Sequence, residues 1–166
     1  MIKTLSISFS YKEFESVDEL NPDERELIFA AREAALHAYA PYSKFRVGAA
    51  IRLDSGIIVC GSNVENAAFP SGICAERNAV STSVSNYIND KPLAIAIAAV
   101  TDDGKLTDPV PPCGNCRQVI AEEELRTGNQ IKIILSGRNK TQVIESIGSL
   151  LPLQFNKKNF EIKHPL

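Results

Sequence analysis

The chain has 166 residues, 44% of them hydrophobic and 23% charged, which suits one globular domain with a proper core. Its 18 basic and 20 acidic residues leave a formal net charge of −2, so there is no electrostatic footprint for a polyanion and nucleic acid is excluded as the main partner. No apolar run approaches the ~20 residues that span a bilayer, and the N-terminus lacks an apolar signal core; the expectation is a cytoplasmic protein without a membrane role.

Taken in chain order, residues 6–9 read as a short strand inside an N-terminal extension, 1–20, to which no function is assigned. Asn21-Pro22-Asp23-Glu24 is a helix start, with Asn as N-cap, Pro at the first helical position and acids in the first turn. Leu27, Ala31, Ala34, Ala35 and Ala38 follow at helical spacing to about Tyr39, and Pro41 ends the helix. Residues 47–53 and 57–62 flank Asp54-Ser55-Gly56 as a β-hairpin. Pro70-Ser71-Gly72 breaks the chain before a second helix over about 73–87. Residues 93–100 read as a strand buried on both faces. Pro111-Pro112 precedes a third helix over about 113–126, and 131–135 form another buried strand. Strands alternating with helices predict an α/β fold, a three-layer αβα sandwich whose opening hairpin makes the sheet mixed. The expectation is a single domain over 1–166 with a C-terminal tail, 156–166.

The chemistry concentrates in Cys74-Ala75-Glu76 and Pro112-Cys113-Gly114-Asn115-Cys116, each opening a predicted helix just after a breaker. A helix N-terminus carries partial positive charge and free N–H groups, which favour the thiolate a metal requires. The gap in Cys113-x-x-Cys116 lets both sulfurs reach one ion at about 2.3 Å, and Cys74 completes a set of three if the helix starts lie side by side. Three protein ligands and an open fourth position describe catalytic rather than structural zinc. Glu76 lies two residues past Cys74, off the ligand face, where a carboxylate can shuttle protons instead of binding the ion.

The pair C-x-E and P-C-x-x-C is the zinc deaminase signature in its three-cysteine form. The chain further resembles the short cytidine deaminases through Ala40-Pro41-Tyr42-Ser43-Lys44-Phe45-Arg46-Val47-Gly48-Ala49-Ala50, Gly61-Ser62-Asn63-Val64-Glu65-Asn66-Ala67, Cys74-Ala75-Glu76-Arg77, Pro112-Cys113-Gly114-Asn115-Cys116-Arg117-Gln118 and Leu150-Leu151-Pro152-Leu153-Gln154-Phe155. The resemblance covers roughly residues 27–155. It implies a cytidine deaminase-like fold, one zinc ion per chain on Cys74, Cys113 and Cys116, and hydrolysis of the 4-amino group of cytidine and deoxycytidine in pyrimidine salvage. Glu76 is then the catalytic acid and base. Phe45 packs on the pyrimidine, Asn63 and Glu65 bind the ribose hydroxyls, and the Ala75 N–H meets the C2 carbonyl. Arg77 and Gln118 would hydrogen-bond ligand sulfurs and offset their charge. Such enzymes assemble as homotetramers, in which Phe155 contributes to a neighbouring subunit's site. Phe69 stands where many members carry Tyr, so a hydroxyl contact there is lost.

Two rival readings stay open at this level. Cys113-x-x-Cys116 alone also fits a redox dithiol, which leaves Cys74 and Glu76 without a task. Cys60 as a fourth ligand would give a closed structural site in a binding module, although an isolated strand cysteine is more often a small buried hydrophobe. His37 and His164 match no ligand pattern.

Overall fold

A computed structural model describes residues 2–159. Six strands form one sheet in the order β1-β6-β5-β4-β2-β3. They are β1 (Lys12–Phe14), β2 (Arg46–Leu53), β3 (Ile58–Ser62), β4 (Pro92–Val100), β5 (Lys132–Ser136) and β6 (Thr141–Ile144); the helices are α1 (Pro22–Leu36), α2 (Ala75–Asn86) and α3 (Gly114–Thr127). Only β4 and β5 pair in parallel, joined through α3, and every other neighbouring pair is antiparallel. The sheet is therefore mixed, with helices on both faces.

The two faces follow from the period-2 alternation of strand side chains. Ala49, Ile51 and Leu53 of β2, with Ile95 and Ile97 of β4 and Ile133 and Leu135 of β5, meet Ala79 and Val80 of α2 and Ile120 of α3. The intervening residues Ala50, Ala94, Ala96, Ala98 and Ile134 meet Leu27, Ile28 and Ala31 of α1 on the other side. β4 is thus buried on both faces along nearly its whole length, as its unbroken apolar run requires.

Helix starts follow the expected chemistry. Asn21 caps α1 by accepting from the Glu24 amide at 2.9 Å, with Pro22 at the first helical position. The helix stops at Leu36 rather than near Tyr39, because the Tyr39 backbone pairs instead with Asn63 and Glu65.

Residues 6–9, expected as a strand, lie in none; the first strand begins at Lys12. The physical reason is the partner: β6 offers four residues, and the ladder matches Lys12 with Val143 and Phe14 with Thr141. An extended segment with no facing strand has no ladder to join. The expected extension nevertheless belongs partly to the fold, since β1 closes one sheet edge and Leu20 is buried against α1's core face. Both β1 and β6 went unforeseen. His164 and most of the expected tail lie outside the described residues.

Two glycines set how closely helices approach the sheet. A Cβ on Gly48 of β2 would lie 2.1 Å from the Ala31 carbonyl oxygen of α1, and one on Gly61 of β3 would lie 2.5 Å from the Ala79 amide of α2. Both contacts are with helix backbone, which cannot move aside without shifting the helix. Gly48→Ala and Gly61→Ala should each lower stability by about 1–3 kcal/mol, measured by urea unfolding. Gly61→Ala should also reduce activity, because α2 carries part of the site described next.

Candidate metal centre and substrate cleft

Cys74 and Cys113 are the N-cap residues of α2 and α3, and Cys116 sits in the first turn of α3. The two helices pack side by side on one face of the sheet, so their starts converge. The three sulfurs lie within 4.8 Å of one another, with Cys113 and Cys116 Sγ 3.4 Å apart. Sulfurs bound to one zinc at about 2.3 Å in a tetrahedron are about 3.8 Å apart, so the set fits that ion closely.

The electrostatics agree. Desolvation pushes the Cys116 thiol far up, helped by the nearby Glu76 carboxylate and the other two sulfurs. Desolvation also raises Cys74, with the charges of Cys113 and Glu76 adding to it. Desolvation acts the same way on Cys113, but it is outweighed by hydrogen bonds from the Cys116 amide, from the Cys116 and Cys74 thiols and from the Asn115 amide, which leave this thiol below its ordinary value. Three thiolates cannot share this space unaided. A dication among them removes the obstacle, since a coordinating thiol loses its proton outright.

Cys60 is not part of the cluster, which disposes of a fourth sulfur ligand. Nor is it the buried hydrophobe expected of an isolated strand cysteine. It is exposed on β3, an edge strand, although partial desolvation pushes its thiol up. Glu76, in the first turn of α2, is buried, and burial raises its carboxyl above the ordinary range. Its carboxyl also hydrogen-bonds Cys116.

A cleft of about 650 Å³ opens over the cluster, lined by Phe45, Asn63, Glu65, Ala75 and Glu76 together with Cys74 and Cys113. Its outer wall is a network of loop bonds. The Asn63 side chain accepts from the Val47 amide at 2.7 Å and donates to the Phe45 carbonyl at 3.0 Å. Glu65 Oε2 accepts from the amides of Tyr42 at 2.8 Å and Ser43 at 3.2 Å. These bonds, that of the Ser43 side chain foremost, hold the Glu65 carboxyl below its usual range and keep it charged. Lys44 adopts the left-handed region, φ 58°, a costly conformation for a residue with a side chain. Ser43 Oγ steadies the turn by accepting from the Phe45 amide at 3.0 Å, which directs Phe45 to the cleft.

Three expected site residues stand apart from this cleft. The Arg77 side chain makes no hydrogen bond or ion pair among the described residues, so no bond to a sulfur is present. Gln118 donates to the Phe155 carbonyl at 2.8 Å rather than to a sulfur. Phe155 is 64% exposed and lines no part of the cleft. Tyr42, for which the sequence gives no role, and Phe69, at the position where many members carry Tyr, line it together, their rings edge to face at 5.8 Å. Tyr42 belongs to the 40–50 motif, but its place in the cleft depends on the turn at Lys44, which no local pattern announces.

The model of the cytidine and deoxycytidylate deaminase zinc-binding region matches residues 22–128. A cytidine deaminase of Halalkalibacterium halodurans is 45% identical over 60% of this chain and 71% of its own length. One from Sporosarcina psychrophila is 37% identical over 82% of this chain and 94% of its own. Among solved structures, the cytidine deaminase from Burkholderia pseudomallei superposes with a TM-score of 0.67 at 36% identity, covering 78% of this chain and 97% of that one. That from Mycobacterium tuberculosis gives 0.62 at 34%, covering 82% and 99%. The redox-dithiol reading falls with these matches, and the chain belongs to the zinc-binding cytidine and deoxycytidylate deaminase family.

Proposed function

We propose that this chain hydrolyses the 4-amino group of cytidine and deoxycytidine, giving uridine or deoxyuridine and ammonia. The observation that carries the reading is a buried carboxyl, Glu76, at the floor of a cleft beside three convergent cysteine sulfurs. Zinc on Cys74, Cys113 and Cys116 supplies the Lewis acidity that brings a water's pKa from about 15.7 towards about 7.

The chain's own residues do the rest. Glu76 takes a proton from the attacking water and delivers it to ring N3, then carries a second proton to the departing amine. A carboxyl raised by burial suits this traffic, because its proton affinity lies nearer that of the groups it serves. The Ala75 N–H, in the first turn of α2 where backbone donors lack helical partners, faces the C2 carbonyl oxygen. Phe45 packs against the pyrimidine. Asn63 and Glu65 hold the ribose hydroxyls, and a sugarless base leaves both polar groups unmatched, which is the basis of nucleoside selectivity. Phe69 offers a ring without a hydroxyl at the mouth. Arg77 stays close to the sulfurs in sequence and serves as a charge balance there at longer range.

We further place the chain in pyrimidine salvage and in the cytoplasm, as one domain that assembles into a homotetramer. A ligand set of three thiols needs a reducing compartment, which supports the location. No helix among the described residues is long and apolar enough to cross a membrane. An exposed Phe155, outside its own chain's cleft, supports a role for that ring at a neighbour's site.

Glu76→Gln should lower kcat by about 10²–10⁴-fold while zinc per chain is unchanged, read by ultraviolet absorbance and metal analysis. If wild type loaded with zinc turned over neither cytosine nucleoside, the proposal would fail. Cys116→Ala should abolish both zinc retention and turnover. Glu65→Ala should raise KM for cytidine at least tenfold, a loss of about 1.4 kcal/mol or more, with zinc content intact.

A further inference from the structure

One stretch of the chain carries a strong pattern that the isolated chain leaves unused. From residue 5 to 11, Leu5, Ile7, Phe9 and Tyr11 alternate with Ser6, Ser8 and Ser10, the period of a strand with one apolar face. Those four large side chains are 77%, 63%, 53% and 52% exposed. Residues 2–10 lie in no strand and make no backbone hydrogen bond among the described residues. They run directly into β1, the outermost strand, whose far edge faces no other strand. They also precede the span, 22–128, that matches the family.

We propose that this segment is an interchain strand. Residues 3–13 of two copies pair antiparallel about a two-fold axis at Ser8, joining the β1 edges of two sheets. Among the registers that pair apolar with apolar residues, one alone matches every facing pair on that face. In an antiparallel pair of identical segments, the numbers of facing residues have a constant sum. A sum of 16 sets Lys3 against Glu13, Leu5 against Tyr11, Ile7 against Phe9, Ser6 against Ser10 and Ser8 against itself. Oppositely charged and aromatic–aliphatic cross-strand pairs are the favourable kinds. A sum of 18 sets Leu5 against Glu13, and a sum of 14 sets Lys3 against Tyr11. Odd sums place apolar residues opposite serines.

Packing favours the same register. Tyr11 and Phe9 line a groove of about 380 Å³ with Ile144, Leu150, Pro152 and Arg117. The sum of 16 brings the partner's Leu5 and the partner's Ile7 beside them on the same face, so the two apolar stripes merge into one. Glu13 Oε2 already accepts from Gln142 at 2.9 Å and meets Lys140 at 3.0 Å; Lys3 adds a cation from across the axis. Such an isologous edge-to-edge contact closes on itself and uses up the β1 edge of both copies. The groove lies at the β1–β6 end of the sheet, and the substrate cleft is built from β2, β4 and the loop after β3.

Cysteine trapping in the zinc-loaded full chain tests both contact and register, with Cys60→Ser as background and Cys74, Cys113 and Cys116 engaged by the metal, so that the introduced thiol is the reactive one. Under mild oxidation, Ser8→Cys should form a covalent dimer at least tenfold more than Ser6→Cys or Ser10→Cys alone. An equimolar mixture of Ser6→Cys and Ser10→Cys should cross-link. Ile7→Lys, added to Ser8→Cys, should lower the yield of its covalent dimer at least tenfold. No Ser8→Cys dimer, as when the segment folds back on its own groove, or equal trapping at all three positions, overturns the proposal. So does Ser8→Cys trapping unchanged by Ile7→Lys.

Discussion

Three sulfurs crowded within 4.8 Å, one of them wholly buried, form an arrangement that repels its own ionisation. Removal from water and mutual repulsion hold protons on Cys74 and Cys116, and only the hydrogen-bonded Cys113 is eased towards thiolate. A dication resolves the conflict, and the fold serves to impose it. Cys74 and Cys113 occupy cap positions, where the chain turns into a helix and backbone N–H groups stand free. With both helices laid side by side on one sheet face, the caps meet. The burial that disfavours thiolates also raises the Glu76 carboxyl, so one desolvated floor holds both a metal-demanding cluster and a carboxyl that favours its protonated form.

That floor depends on small residues some distance away. Gly61 lets α2 touch β3 backbone to backbone, and Asn78 of α2 donates to the Ser62 carbonyl at 3.1 Å at the same strand end. α3 is held from its other side: Arg117 donates to the carbonyls of Pro112 and Leu150, both at 2.8 Å, tying the helix start to the loop before it and to the C-terminal region. Cap positions alone do not make a site. The helices must also be prevented from sliding, and these contacts do that.

The centre of the fold was legible because its signals are local and redundant. Asn21-Pro22 announced a helix start by cap chemistry, residues 93–100 announced a doubly covered strand by an unbroken apolar run, and the cysteine motifs sat where breakers predicted helix starts. The edges were not legible. β1 and β6 are three and four residues long, and each is a strand only because the other, or β5, lies beside it. Residues 6–9 show the converse: a clean alternation without a partner within the chain. The same division runs through the site. Sulfurs and carboxyl follow from motif spacing, whereas the destination of the Gln118 amide depends on where a segment 37 residues further on returns.

Asn63 and Glu65 have a double engagement with consequences for how this site can change. Each side chain that faces the cleft also fastens the loops that shape it, Asn63 to Val47 and Phe45, Glu65 to Tyr42 and Ser43. This wall of the cleft is therefore already ordered before any ligand arrives, and little conformational freedom is left to surrender on binding. Adaptation is constrained by the same economy. A substitution at either residue that changes what the cleft accepts also unpins the loops around Phe45, so a change at this wall must evolve together with a new way of closing the loop.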